Sequence, residues 1–517
     1  MIGLARFSYN VCHFRMISKI WKDSISRRIC HWIVYSSHSQ VPFLHSKIRT
    51  ISRDILKEAD SMLKKDPNRI TRTTLPKDGI SHELVLDELT RCANRENERV
   101  NSGRVSGTLY AAGRQHSEFM TKVYGLYQWS NPLKPGVWPR VNQCEAEIVS
   151  MTANLFHAGP SSCSLGSVTS GGTESILQAV RAHLEVYGKR RGITQPEIVC
   201  GSTAHCSLNK ACEMLNIRLV VIGCDDGCSY TLKADRVARH ITCNTIMIFS
   251  SAPSFPQGTI DPMEDLSQVA LRYDVGLHVD ACLGGFVLPF CSEDMFSPQI
   301  FDFRLKGVTS MSADTHKFGH ATKGTSVVLF RTMDLQHASY FPCSTWSGGL
   351  YITPTIAGSR PGALIACAWS AMVSIGETGY RRRAKSIVNA ARRIASEIAS
   401  IEGIKVMTPD PTIVVCFGSD EFNIYNLKDS LSKMGWSLNP LQSPPSINIC
   451  VTENLVIVLD EFLRDLRSAV DEAIDSASMQ MQKKAKGTGA IYETAKMLPS
   501  GPVEYAMCKF IDATLLP

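Results

Sequence analysis

The 517-residue sequence has no C-x-x-C pair, although it contains 18 cysteines. Its nearest two, Cys224 and Cys228 in CDDGC, do not match a zinc-type spacing, and the rest are scattered singly through apolar runs such as EIVC and VVCF. That pattern reads as reduced, buried thiols of an intracellular protein, and no metal site is expected. Also missing, from the first 50 residues, is any apolar stretch approaching the ~20 residues that a membrane-spanning helix requires. The formal net charge of +7 is not gathered into a basic tract, so nucleic-acid binding is not indicated. There is no internal repeat and no long low-complexity linker.

Acids are scarce in one place. The first 50 residues carry many Lys and Arg and several Ser, but a single acid, Asp23. Such a segment reads as a mitochondrial presequence, a membrane-surface arm or an unstructured leader. The remainder is ordinary globular composition, 44% hydrophobic and 20% charged, and the length accommodates two to four domains with a sizeable core.

Beyond about residue 145, short β-rich runs alternate with helical segments. The runs are EIVCGS (197–202), RLVVIG (218–223), TIMIFSS (245–251), GLHVDA (276–281), GVTSMSA (307–313) and TSVVLF (325–330). Between them lie NKACEML, KADRVARHI and DPMEDLSQVALRYD, the last with Asp261-Pro262 as a helix start. Nearly continuous apolar strands separated by helices predict an α/β domain, a mostly parallel sheet covered on both faces. From about 361 a helix pattern (377–402), strand-like IKVMTPDPTIVVCFGS and WSLNPLQSPPSINICVT, and an amphipathic helix near 453–478 predict a smaller α+β domain. The expected layout is a leader (1–50), a helical segment (51–130), a large α/β domain (131–360), and an α+β domain with tail (361–517).

Four features of the large domain carry chemistry. TSGGTES (169–175) precedes an amphipathic helix with Ile176, Leu177, Val180, Leu184 and Tyr187 on one side. Two glycines and a threonine at a helix start offer free N–H groups and the positive dipole end to a phosphate; they also suit a plain turn with a Thr N-cap. Asp280 ends the strand of GLHVDACLGGF, placed either to pair with a cationic ring nitrogen or to cap the next segment. His205, in GSTAHCSLNK, follows another strand and suits packing or ring stacking. Lys317, in SADTHKFGHATKGTS, follows a third; a desolvated lysine has a lowered pKa and a nucleophilic amine. Together they supply what pyridoxal phosphate demands: a held phosphate, a protonated ring nitrogen, a covered ring face and a tethered aldehyde. In this reading Lys317 forms the Schiff base and His316 reaches the phosphate.

VTSGGTESI, TAHCSLNKA, HVDACLGGF, GVTSMSADTHKFG and YITPTIAGSRPG, with FPQGTIDP and GWSLNPLQSPPSI, resemble the sphingosine-1-phosphate lyases of the pyridoxal-phosphate-dependent decarboxylase superfamily, fold type I. The resemblance runs from about Asn131 to GTGAIY near 490, and weakly back to about residue 50. It implies a homodimer that cleaves phosphorylated sphingoid bases by retro-aldol scission of C2–C3 to phosphoethanolamine and a long-chain aldehyde. It further implies that Gly171, Gly172 and Thr173 hold the cofactor phosphate with His316, that His205 stacks on the ring, and that Asp280 keeps the ring protonated. Lys323 and Tyr351 match a second lysine and a tyrosine near the substrate, the tyrosine from the partner subunit. Arg360 matches a substrate-phosphate group, and Tyr110 and Asn131 match further pocket positions. Three departures stand out: Lys134 replaces a substrate-phosphate histidine, His320 replaces a tyrosine, and AAGRQHSEF after Tyr110 has lost aromatic and acidic character. Relatives are anchored at the cytosolic face of the endoplasmic reticulum membrane by an N-terminal helix; the cytosol and the mitochondrion are the alternatives here. An amino-acid decarboxylase and a catalytically impaired paralogue are the rival readings.

Overall fold

In the computed structural model, residues 72–110, 112–159, 165–224, 229–291, 299–479 and 500–515 are described, with positions 53, 489 and 492. The basic leader 1–50, most of GTGAIY and Cys228 lie outside them. The described residues form two compact units. One holds those before Asn94 and after Met479; the other is Asn94–Met479. The first contains the start of α1 (His82–Asn101) and the helix Ser500–Leu515, with Arg72 paired to Glu88 at 2.7 Å.

In the second unit, α2 (Arg114–Tyr127) and α3 (Pro139–Leu155) precede the seven-stranded sheet. Its strands are β1 (Gly166–Thr169), β2 (Glu197–Gly201), β3 (Arg218–Ile222), β4 (Thr245–Ser251), β5 (Gly276–Asp280), β6 (Ser310–Ala313) and β7 (Ser326–Phe330). The order is β1-β7-β6-β5-β4-β2-β3. Contacts β2–β3, β2–β4, β4–β5 and β5–β6 are parallel, whereas β7 runs antiparallel to both neighbours. All seven residues of TIMIFSS are buried, as expected for a central strand covered on both faces.

Helix α4 (Gly172–His183) supplies one of those covers. Its Ile176 and Val180 pack with Ile198, Cys200, Phe249 and Leu208. Its Ala179 and Ala182 pack instead on Val328 and Phe330 of β7. One amphipathic helix is thereby fixed across the middle of the sheet, with its N-terminus over the strand ends. Three more helices connect strands: α5 (Ser207–Met214), α6 (Ala234–His240) and α7 (Met263–Tyr273). Helix α7 starts at Asp261-Pro262 as expected, though the N-cap is Pro262 and not Asp261. Its carboxylate is buried and accepts the Leu232 and Ser251 N–H groups at 2.8 and 2.9 Å, and burial raises its pKa to about 6.

After β7 come α8 (Met333–Ser339) and the hairpin β8 (Phe341–Cys343) with β9 (Tyr351–Thr353). Helix α9 spans Gly362–Ala399 and bends at Gly376, whose φ of 63° and ψ of 173° are non-helical. It therefore begins well before the expected residue 377. The four-stranded sheet that follows comprises β10 (Lys405–Val406), β11 (Val414–Gly418), β12 (Asn439–Leu441) and β13 (Ser446–Cys450), ordered β10-β11-β13-β12. Helix α10 (Ile424–Lys433) crosses between its strands, and α11 (Glu453–Ile457) and α12 (Leu459–Met479) complete the unit. The 14 described cysteines are free, and none of the described helices is long and apolar enough to cross a membrane.

Candidate active site

The carboxyl ends of the parallel strands and the start of α4 converge on a cavity of about 440 Å³. That is where an open α/β sheet leaves room for a ligand. Its lining includes Gly171, Gly172, Thr173, His205, Asp280, His316 and Lys317. These are the seven residues expected to hold the cofactor. They come from four separate loops, so the topology alone brings them together.

Gly171 is the N-cap of α4 and no side chain caps the helix, which rules out the plain Thr N-cap. The first turn therefore presents unoccupied N–H groups and the positive dipole end to the cavity. Glu174 also lines the cavity, and its oxygens accept the Ser170 and Ile356 N–H groups at 2.7 and 2.9 Å. A Cβ at Gly172 would stand 2.8 Å from both Asp314 Oδ1 and Cys282 Sγ, so only glycine fits there. His316 lies across from Gly171, donating from Nδ1 to the Thr325 carbonyl at 2.5 Å and leaving Nε2 to the cavity side. Burial holds its pKa below the ordinary value.

Asp280 is buried at the end of β5, and its Oδ1 accepts the Cys282 N–H at 3.0 Å. Capping is thus one of its tasks, and it still lines the cavity. His205 Nδ1 accepts the Ser207 N–H at 3.2 Å and meets the Ser207 hydroxyl at 2.8 Å. That contact fixes the ring and puts the proton of the neutral imidazole on Nε2.

Lys317 Nζ lies 2.9 Å from Asp314 Oδ2. Here the structure corrects an expectation. Burial pulls the amine's pKa down, but the attraction of Asp314, aided by Asp280, outweighs it and raises the pKa above 10.5. Asp314 shows the reciprocal balance: burial pushes its carboxyl up, while Lys317 and His316 pull it lower still. Desolvation alone predicts the wrong direction when a carboxylate is sealed in with the amine.

Tyr110 and Lys323 form the neighbouring wall. The Lys323 ammonium sits 4.8 Å over the Tyr110 ring, which packs edge-on against Phe318 at 5.0 Å. Tyr110 lines both this cavity and a second one of about 430 Å³, whereas Lys323 lines only the second, with His116, Met120, Tyr124, His316 and His320. His320 Nδ1 donates to the Tyr110 carbonyl at 3.0 Å, so this departure braces the Tyr110 backbone.

Asn131, Lys134, Tyr351 and Arg360 are not brought to either cavity. They gather elsewhere: Asn131 accepts the Arg360 N–H at 3.3 Å and donates to Ser359 at 3.0 Å. The Tyr351 hydroxyl lies over Gly358, and Lys134 is on an exposed turn. The Arg360 guanidinium forms a two-pronged, nearly buried pair with Glu145 at 2.5 and 2.8 Å. Sequence reasoning missed Asp314, Cys282, Ser207 and Glu145. An acid three residues before a candidate lysine was a usable signal for Asp314; Glu145, 215 residues from Arg360, offered none.

A lysine, two buried carboxylates, a fixed imidazole and open helix amides around one cavity fit pyridoxal phosphate, down to the missing Cβ at Gly172. Residues 133–419 match the family described as "Pyridoxal-dependent decarboxylase conserved domain". The chain is 38% identical over 498 residues to the sphingosine-1-phosphate lyase of Dictyostelium discoideum, covering 96% of this chain and 91% of that one. It is 40% identical over 452 residues to that of Oryza sativa subsp. japonica, covering 86% and 82%. Among solved structures, the Burkholderia pseudomallei sphingosine-1-phosphate lyase superposes with a TM-score of 0.76 at 38% identity, over 80% of this chain and 95% of that one. A Lactobacillus brevis glutamate decarboxylase, at 23% identity and a TM-score of 0.68, shares the fold. Strand-end site, fold and these identities lead to one assignment: the chain belongs to the sphingosine-1-phosphate lyase family of pyridoxal-dependent enzymes.

Proposed function

We propose that this chain is a pyridoxal-phosphate-dependent aldehyde lyase that cleaves sphingosine 1-phosphate and related phosphosphingoid bases into a long-chain aldehyde and phosphoethanolamine. The observation that carries the reading is the convergence of Lys317, Asp280, His205 and the α4 N-terminus on one cavity, in a chain 38% identical to lyases over nearly its whole length. When bound, pyridoxal phosphate supplies an electron sink for the pair left on C2 as C2–C3 breaks. The chain's residues divide the remaining work. Lys317 tethers the cofactor and afterwards moves a proton to C2. Asp280 holds a proton on the ring nitrogen, and His205 covers the ring face. Gly171, Gly172 and Thr173, with His316, bind the cofactor phosphate. Lys323 and Tyr351 move protons at the substrate, Lys134 and Arg360 receive its phosphorylated end, and Tyr110 and Asn131 line the rest of its pocket. A lysine at 134 binds phosphate as a point charge.

The split of these residues into two groups supports a homodimer in which Tyr351, Asn131 and Lys134 serve the partner's cavity. The segments bearing them also expose Trp129, Val137, Trp346, Leu350, Ile352 and Ile356, apolar surface suited to burial against a second copy. We infer association with the cytosolic face of the endoplasmic reticulum membrane, as the family resemblance implies; fractionation of expressing cells tests it. The function itself is tested by offering the loaded chain dihydrosphingosine 1-phosphate and, separately, glutamate. Long-chain aldehyde from the first and no carbon dioxide from the second is the expected result; the reverse would make it an amino-acid decarboxylase.

A further inference from the structure

Asp314 is a buried acid at the cavity that this division of work leaves without a task. It follows β6 directly, and its side chain is 2% exposed. Oδ2 faces Lys317 Nζ at 2.9 Å and His316 Nε2 at 3.8 Å. Oδ1 is sealed in, with no hydrogen bond of good geometry among the described residues; the Ser326 hydroxyl is the polar group that acts on the carboxyl from β7. The carboxylate is wedged against the first residue of α4, where a Cβ on Gly172 would meet both of its oxygens within 3.0 Å. The acid is therefore fixed, while the lysine, on its four-carbon stem, is free to swing. Such a pair behaves as a berth and a mobile arm.

We propose that Asp314 is a positioning residue for Lys317: a fixed anionic berth that receives the ammonium whenever Nζ is not bonded to the cofactor, and presents the amine from one place in each turnover. The turnover role rests on the cofactor reading above; the pairing does not. The other groups around Nζ agree with this division. Asp280 and Cys282 approach from the end of β5, and Tyr110, from the segment before α2, lines the same cavity and acts on Asp314. His316 and Lys323 share the lysine's own loop, and Cys450 approaches from β13. Asp280 already caps Cys282, whereas Asp314 makes the contact at 2.9 Å. The berth also accounts for the direction in which the buried amine's pKa is shifted.

The test uses full-length parent and Asp314→Asn, both stripped of cofactor. Trace acetic anhydride labels lysines across a range of pH, and mass spectrometry reads the peptide containing Lys317. The midpoint for Lys317 in the parent is expected above that of exposed lysines in the same digest, and about one to three pH units lower in Asp314→Asn. Equal midpoints would overturn the proposal. Reloading with pyridoxal phosphate is followed by its visible absorbance. Asp314→Asn is expected to load at lower pH than the parent; no loading by either chain, with the labelling shift intact, would overturn the cofactor reading and uphold the pairing. If Asp314→Asn fails to fold, Lys317→Met reads the pair from the other side. Its melting-temperature deficit should shrink as pH falls and the stranded carboxylate takes up a proton, and a deficit independent of pH would overturn the berth.

Discussion

Gly172 and Arg360 show how much a single position decides here. Adding one methyl at Gly172 pushes into Asp314 and Cys282 at 2.8 Å, so Gly172→Ala should weaken pyridoxal phosphate binding at least tenfold, read by absorbance titration. Removing the guanidinium at Arg360 strands the Glu145 carboxylate in a nearly buried place, and Arg360→Met should cost about 3–5 kcal/mol of stability by denaturant unfolding. A variant as stable as the parent with only a raised KM would show that Arg360 serves the substrate alone. The Asp314–Lys317 pair sets a pH window. The Asp314 pKa is depressed below 3.8, so its contribution is present above that value and lost as pH falls through the folded pKa. The Lys317 pKa is raised above 10.5, so its contribution is present below that value and lost as pH rises through the folded pKa. Thermal unfolding of cofactor-free parent and Asp314→Asn should therefore differ most between these limits and converge outside them. Lys317, Asp280 and His205 were legible because each stands at or just past the end of a strand-like run, where an α/β sheet places its chemistry. The Asp314 berth was not, because burial of the loop turns an ordinary near-neighbour pair into a sealed one.

Elements with a strong pattern formed where the sequence placed them, and those governed by packing did not. Strands β2, β4, β5 and β7 coincide with apolar runs because both of their faces are covered, and the edge strand β3 does so although it is largely uncovered. Of GVTSMSA only Ser310–Ala313 joins the sheet. The first part of α9, GALIACAWSAMVSI, is apolar nearly all round and gives no amphipathic period, which hid fifteen residues of helix. Its bend at Gly376 lies in backbone space that is essentially restricted to glycine, and no atom lies near its missing Cβ. Gly376→Ala should therefore cost about 1–3 kcal/mol purely through backbone strain, measured by chemical unfolding with activity retained in the folded fraction. Strands as short as β8, β9 and β10 exist through their partners and leave no period to read.

At the scale of the whole molecule, the proposed substrate residues divide between the cavities and a cluster outside their lining, which is the basis of the proposed dimer. Mixing Lys317→Ala chains with Tyr351→Phe chains should then restore aldehyde release, because each hybrid dimer keeps one cavity with both groups; no restoration would place Tyr351 with its own chain's cavity. The fold class and the cofactor loops were legible because they depend on local pattern and strand order. The second cluster was not, because it is assembled from segments 131–134 and 351–360 with no shared period. The most direct measurement for the account as a whole is to load the full chain with pyridoxal phosphate, reduce it with borohydride and locate the label by peptide mass spectrometry. The account predicts the label on Lys317; a label on Lys323, on another lysine or on none would contradict it.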